Sequence, residues 1–224
     1  MPARFAAAVF DLDGTLVDTL PDLWAALNDL LTELGRPAVP ADSVRLMVGE
    51  GAASLVAQGL AATGDPLDDA ARAALVRRYI EIYAARPAAD SRPYPNALAV
   101  LQRLAADGLA LGVCTNKPQG LSDAVLAALG LAPLFGAVIG GDALPYRKPD
   151  PRHLTAVLDR LGVAAADTVY VGDSPTDVAT ARAAGIPVVA VDWGYTRVAP
   201  AALGADALIA DFAHLPAALA RLGG

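Results

Sequence analysis

Asp11 and Asp13 stand two residues apart, directly after the apolar run 5–10 (FAAAVF). On an extended chain that spacing turns both carboxylates to the same side. Like charges held so close are costly unless a cation or a proton relieves them, although Asp before Gly14 also suits a plain turn. Three further polar groups follow apolar runs in the same way. Thr115, Asn116 and Lys117 follow 109–114 (LALGVC). Gly140, Gly141 and Asp142, then Arg147, Lys148 and Pro149, follow 136–140 (GAVIG). Asp173, Ser174 and Asp177 follow 168–172 (TVYVG). Carboxylates, hydroxyls and a lysine gathered at one place can hold a hard cation and a phosphate together.

Each residue also has a simpler use. Thr115 and Asn116 suit a helix start before Pro118. Ser174 with Asp177 forms a capping box with Pro175 at the first helical position. Lys148 suits an exposed loop charge, yet it is one of only two lysines among 17 basic residues, the rest being arginine. Lys117, the other, reads as a solvated loop charge. His153 and His214 lie on helical patterns with no second histidine at ligand spacing and read as non-ligands. The single cysteine, Cys114, reads as strand packing beside the site, and one cysteine excludes an internal disulfide or a Cys-rich zinc site.

These loops need a scaffold that brings them to one edge. The runs 5–10, 109–114, 136–140, 168–172, 187–191 and 207–210 have strand length. From about residue 94 they alternate with helical patterns, such as Leu98, Leu101 and Leu104 before Gly108, and Leu154, Val157, Leu158 and Leu161 before Gly162. Buried strands alternating with helices predict an α/β fold with a doubly wound parallel sheet, and ligands of such sheets sit beyond the carboxyl ends of the strands.

Residues 19–86 contain no strand-like run. Leu20, Leu23, Trp24, Leu27, Leu30, Leu31 and Leu34 follow helical spacing, with Thr19 and Asp22 as a capping-box pattern. Further helices are expected at about 51–62 and at 67–85, the latter with Ala71, Leu75, Tyr79 and Ile82 on one face. Extended Pro-rich segments around 86–95 suit a hinge on the way back. The expected organisation is a core of residues 1–18 and 92–224 and an inserted all-helical cap of residues 19–91.

Composition sets outer limits. The chain is 55% hydrophobic and 18% charged, ample for a buried core, and much of the apolar excess is alanine inside helical patterns. No apolar run reaches the roughly 18 residues of a membrane helix, and the first one is cut short by Asp11, which predicts a cytoplasmic protein. A net charge of −7 argues against nucleic acid or an anionic membrane as partner.

Read together, FDLDGTLVDT (10–19), VCTNK (113–117), RKPDP (147–151) and GDSPTD (172–177) resemble, in order, the four motifs of haloacid dehalogenase-type phosphatases. The resemblance covers essentially the whole chain. Within that superfamily, LPDLWAALNDLLTELG (20–35), VGEGAASLV (48–56), YPNALAVLQRLAADG (94–108), GGDALPYRKPDP (140–151) and VDWGYT (191–196) look closest to the phosphoglycolate phosphatase family. Asn96 departs from the glycine common there, a small change because Asn tolerates turn conformations.

The resemblance implies a haloacid dehalogenase-like core with a movable helical cap and a small phosphomonoester as substrate. Asp11 would be the nucleophile forming an aspartyl-phosphate. Mg²⁺ would be held by the carboxylates of Asp11 and Asp173 and the carbonyl of Asp13, with Asp177 supporting from behind. Asp13 would act as acid and then base, Thr115 and Asn116 would donate to phosphoryl oxygens, and Lys148 would neutralise charge. The cap loop Gly49–Glu50–Gly51 would contact the substrate; Arg45 nearby suits a substrate carboxylate or solvent. The cap has no lysine for a Schiff base and no histidine for a mutase, and Asp13 sets the chain apart from the metal-free dehalogenases. A phosphatase for 2-phosphoglycolate is expected, working as a monomer or homodimer. A phosphatase for another small metabolite, such as a sugar phosphate, is the alternative within the class. A phospho-acceptor signalling domain is the alternative outside it, but such domains carry no helical insert after the first strand.

Overall fold

A computed structural model describes residues 5–64 and 68–223. Its centre is a parallel sheet whose strands are short, apolar and buried. In chain order the elements are β1 (Ala7–Phe10), β2 (Val17–Asp18), α1 (Leu20–Glu33), α2 (Ala41–Arg45), α3 (Ala52–Thr63) and α4 (Asp69–Ala84). Then come β3 (Arg92–Pro93), α5 (Ala97–Ala106), β4 (Ala110–Cys114), α6 (Gln119–Ala128), β5 (Ala137–Ile139) and α7 (Pro151–Leu161). β6 (Thr168–Gly172), α8 (Pro175–Ala183), β7 (Val188–Val191), β8 (Ala207–Ile209) and α9 (Leu215–Leu222) complete the chain.

The six-stranded sheet runs β5-β4-β1-β6-β7-β8, every pair parallel. β1 lies at its middle, with β4 on one side and β6 on the other. The chain therefore winds outward in one direction, returns, and winds out in the other, so the switch point falls at the carboxyl ends of β1, β4 and β6. Loops there diverge and leave a crevice. All six strands sit where the apolar runs predict them, and Gly162 ends α7 in the left-handed conformation.

Between β1 and the rest of the sheet lie α1 to α4. α1 buries Leu23, Ala26, Leu27, Leu30 and Leu31, against which α2, α3 and α4 pack. Trp24 and Leu34 of the expected stripe are exposed instead; the Trp24 indole N–H reaches the Val39 carbonyl at 2.8 Å. Leu98 of α5 is likewise exposed. In α4 the fully buried residues are Tyr79 and Tyr83, while Ala71, Leu75 and Ile82 are half-buried. The expected start of that helix at 67 lies outside the described residues. α2 has no counterpart in the predicted helices.

Where the chain enters and leaves this helical segment, β2 and β3 form an antiparallel two-stranded ribbon, whereas residues 86–90, expected to be extended, are turns and bends. The capping box expected at Thr19 and Asp22 is absent. Thr19 donates to Asp13 at 2.7 Å, and buried Asp22 accepts the backbone N–H of Asp90 and Ser91 and the Ser91 hydroxyl. Both cap-forming side chains are spent elsewhere, and the bonds of Asp22 tie the start of α1 to the returning segment. Among the described residues no helix is long and apolar enough to cross a membrane.

Candidate active site

Asp11 is the first residue beyond β1. Its backbone N–H bonds to the Val171 carbonyl of β6, so the carboxylate leaves the sheet at the switch point. Asp173 leaves β6 beside it. Gly14, at φ +81°, passes so close that a Cβ there would stand 2.8 Å from Asp173 Oδ2, and only glycine suits both the angle and the gap. The Asp173 carboxylate is fixed by the Thr15 hydroxyl at 2.9 Å and the Tyr195 N–H at 2.6 Å.

Asp177 completes the group, within the expected capping box at the start of α8. One of its oxygens accepts from Ser174 Oγ and from the N–H groups of Ser174 and Asp173; the other accepts from Lys148 Nζ at 2.7 Å and Tyr170 OH at 2.9 Å. Helix cap and site support are thus the same carboxylate. Lys148, buried among these groups, also lies 2.9 Å from Asp11 Oδ1. That approach is an ion pair off the hydrogen-bond direction, and Asp11 Oδ1 is a buried oxygen without a donor.

Burial and opposing charges set the titration of this cluster. Burial pushes Asp11 up to about 6 against the pull of Lys148. Burial, then the charges of Asp177 and Asp11, pushes Asp173 up to about 8. Burial also works to raise Asp177, but Lys148, Ser174 and Tyr170 outweigh it and hold the carboxyl below its ordinary value. Lys148 is held above the ordinary lysine value because Asp11 and Asp177 outweigh its own burial. Ligand oxygens of Asp11, Asp173 and Asp177 lie within 4.8 Å of one another. Crowded, buried carboxylates with one oxygen lacking a donor are a hard-cation donor set. Of the three, Asp177 receives the most protein donors and Asp11 the fewest.

Asp13 does not share this cluster. Its carboxylate receives Thr19 Oγ1 and Lys117 Nζ, the latter at 2.9 Å. Lys117 is therefore not the solvated charge its loop position suggested. It is buried, and it also donates to the Tyr83 hydroxyl of α4 at 2.9 Å. The scarcity of lysine that singled out Lys148 pointed equally at Lys117.

A cleft of about 430 Å³ opens above these groups. It is lined by Asp11, Asp13, Thr115, Asn116 and Lys117 from the sheet edge, and by Gly49, Gly51, Leu23, Leu55, Tyr79 and Tyr83 from the helical segment. Gly51, at φ +85°, passes so near that a Cβ would stand 2.8 Å from the Asn116 carbonyl. The Asn116 amide donates to the carbonyls of Gly49 and Lys148. Neither Thr115 nor Asn116 caps α6, which starts after Pro118. Glu50, expected at the substrate with its glycine neighbours, is exposed, accepts from Ser54 Oγ and is absent from the cleft lining. Arg45 is half-buried, and its guanidinium donates to the Trp193 and Gly194 carbonyls at 2.9 and 2.8 Å. Cys114 is buried and pushed up to about 12 by that burial, so it is no nucleophile at neutral pH. His153 bonds to the Gly140 carbonyl.

A buried carboxylate, a second one two residues on, an oriented lysine and a hydroxyl at the switch point of a doubly wound sheet suit an enzyme of the phosphoric monoester hydrolase class. Comparison with known proteins places it more closely. The family model for haloacid dehalogenase-like hydrolases matches residues 8–191, and the chain belongs to that family. It is 53% identical to a phosphoglycolate phosphatase of Rhodospirillum rubrum over 93% of this chain and 88% of that protein. It is 48% identical to one of Caulobacter vibrioides over 97% and 92%. A crystal structure of a predicted phosphoglycolate phosphatase from Haemophilus somnus superposes with a TM-score of 0.90 at 31% identity, covering 96% of this chain and 98% of that one.

Proposed function

We propose that this hydrolase cleaves 2-phosphoglycolate to glycolate and phosphate through an aspartyl-phosphate on Asp11. The observation that carries the reading is the orphaned Oδ1 of Asp11, buried under a cleft whose far wall comes from the helical segment. The similarity to phosphoglycolate phosphatases supports the substrate, because it runs through that segment as well as through the sheet.

In this mechanism an Asp11 oxygen attacks phosphorus in line, and the ester oxygen leaves with a proton from Asp13. Thr19 and Lys117 hold the Asp13 carboxyl in place for that transfer. Asp13 then takes a proton from the water that attacks the phosphorus of the aspartyl-phosphate, releasing phosphate and restoring Asp11. The Thr115 hydroxyl and the Asn116 backbone N–H donate to the phosphoryl oxygens. Lys148, held by Asp177 and Tyr170, offsets their charge. Mg²⁺, held by Asp11, Asp173 and the carbonyl of Asp13, would shield the nucleophile from the phosphate it approaches.

Residues 19–91 act as a cap that closes on the core, excluding bulk water. The bonds of Arg45 to the 193–194 carbonyls, of Asn116 to Gly49 and of Lys117 to Tyr83 support this division of the chain. A substrate panel tests the reading. 2-Phosphoglycolate should exceed sugar phosphates in kcat/KM by at least tenfold in the presence of Mg²⁺; near-equal values would remove the substrate assignment while leaving a phosphatase.

A further inference from the structure

The phosphoryl mechanism gives two groups in the cleft no contact with the substrate. Lys117 is a buried cation that lines the cleft and is bonded to Asp13 and Tyr83. Tyr79 is 1% exposed, lines the same cleft, and its hydroxyl has no hydrogen-bond partner. Its ring centroid lies 6.1 Å from that of Tyr83, the partner of Lys117, and all three line the one cleft. A buried phenol without an acceptor is an unusual expense, and such groups ask for a missing partner. The phenol has a proton to donate, and beside a buried lysine an anionic acceptor is the favoured partner.

The surroundings limit its size. Leu23, Val48, Ala52 and Leu55 form the rest of that wall and offer no partners to the hydroxyls of a sugar. Position limits it further. Lys117 touches Asp13, the residue assigned to the ester oxygen, so an anion on Lys117 lies close to that oxygen. In 2-phosphoglycolate a single carbon separates the two.

We propose that Lys117 and Tyr79 form the subsite for the substrate's carboxylate, and that this pair gives the enzyme its preference for short phosphomonoesters bearing an anionic tail. The inference rests on the phosphoglycolate reading above and assigns the residues that enforce it. Lys117 supplies the charge, Tyr79 the second donor, and the apolar wall excludes polar bulk. Because Tyr79 and Tyr83 both come from α4, the carboxylate also completes a bridge between the cap and the core.

The test compares 2-phosphoglycolate with 2-hydroxyethyl phosphate, which replaces the carboxylate by a neutral hydroxymethyl group. The readout is the ratio of their kcat/KM values in the wild type, Lys117→Met, Lys117→Arg and Tyr79→Phe. Wild type should favour phosphoglycolate strongly. Lys117→Met should cut that ratio about 100-fold and Tyr79→Phe about tenfold, the range for losing a buried charged partner and a single donor. Lys117→Arg should keep most of the preference. If Lys117→Met slows both esters equally, the lysine acts only through Asp13 and the subsite is refuted; an unchanged ratio in Tyr79→Phe refutes the tyrosine's part. A wild type that cleaves both esters equally would instead overturn the substrate reading itself.

Discussion

Asp11 and Asp13 begin as a like-charged pair two residues apart, and the fold separates their fates. Asp11 goes to Lys148 and the Asp173 cluster, Asp13 to Lys117 and Thr19. Each lysine thus serves one carboxylate of this pair, and Lys148 serves Asp177 as well. Asp11→Asn should abolish turnover of p-nitrophenyl phosphate while circular dichroism and the melting transition stay close to wild type; an active variant would refute the nucleophile. Gly14→Ala should destabilise the protein by about 1–3 kcal/mol in denaturant titration, since it strains a positive φ and crowds Asp173. An unaltered midpoint would show that the loop yields freely. Most of these residues were legible because polar residues following an apolar run mark strand ends. Lys117 was not, because a loop charge looks the same in sequence whether a distant helix covers it or not. Glu50 failed in the opposite sense: it lies between two glycines that do reach the cleft, but its own side chain is exposed and accepts from Ser54.

The six strands were readable from their runs, since a parallel strand buried on both faces is apolar throughout. What sequence left blank was the ribbon of β2 and β3, two residues each, and the one-turn α2, all too short for periodicity to register. Those small elements join the helical segment to the rest of the chain. Arg45 of α2 clamps the 193–194 loop, and Arg197 from the core reaches back to the Leu46 carbonyl and Gln58. Arg45→Met should loosen closure and lower kcat/KM for phosphoglycolate roughly tenfold, with faster proteolysis of the helical segment. Wild-type values in both assays would mean that the clamp carries no part of closure.

Across the molecule, the site gathers more negative than positive charge: among the described residues, Asp11, Asp13, Asp173 and Asp177 face Lys117 and Lys148. A divalent cation would balance that sum. EDTA should therefore remove activity and Mg²⁺ restore it, whereas metal-independent hydrolysis would exclude the ligand set. The metal-free protein should also show the imbalance as a pH dependence. Asp173 keeps its proton to about 8 when folded and loses it near 3.8 when unfolded, so between those values the folded state binds more protons. Stability then falls as pH rises through that window, and Asp11, raised to about 6, adds to the fall. The gain in melting temperature from Mg²⁺ should grow from pH 5 to pH 8; a constant gain would place the ion elsewhere.

The central claim is that phosphate passes through the carboxylate of Asp11. Borohydride added during turnover of 2-phosphoglycolate reduces an acyl phosphate to an alcohol, and peptide mass spectrometry then locates the altered side chain. Homoserine at position 11 alone is the expected result. Homoserine at Asp13 or Asp173, or an untouched Asp11 in an enzyme trapped while turning over, would contradict the account.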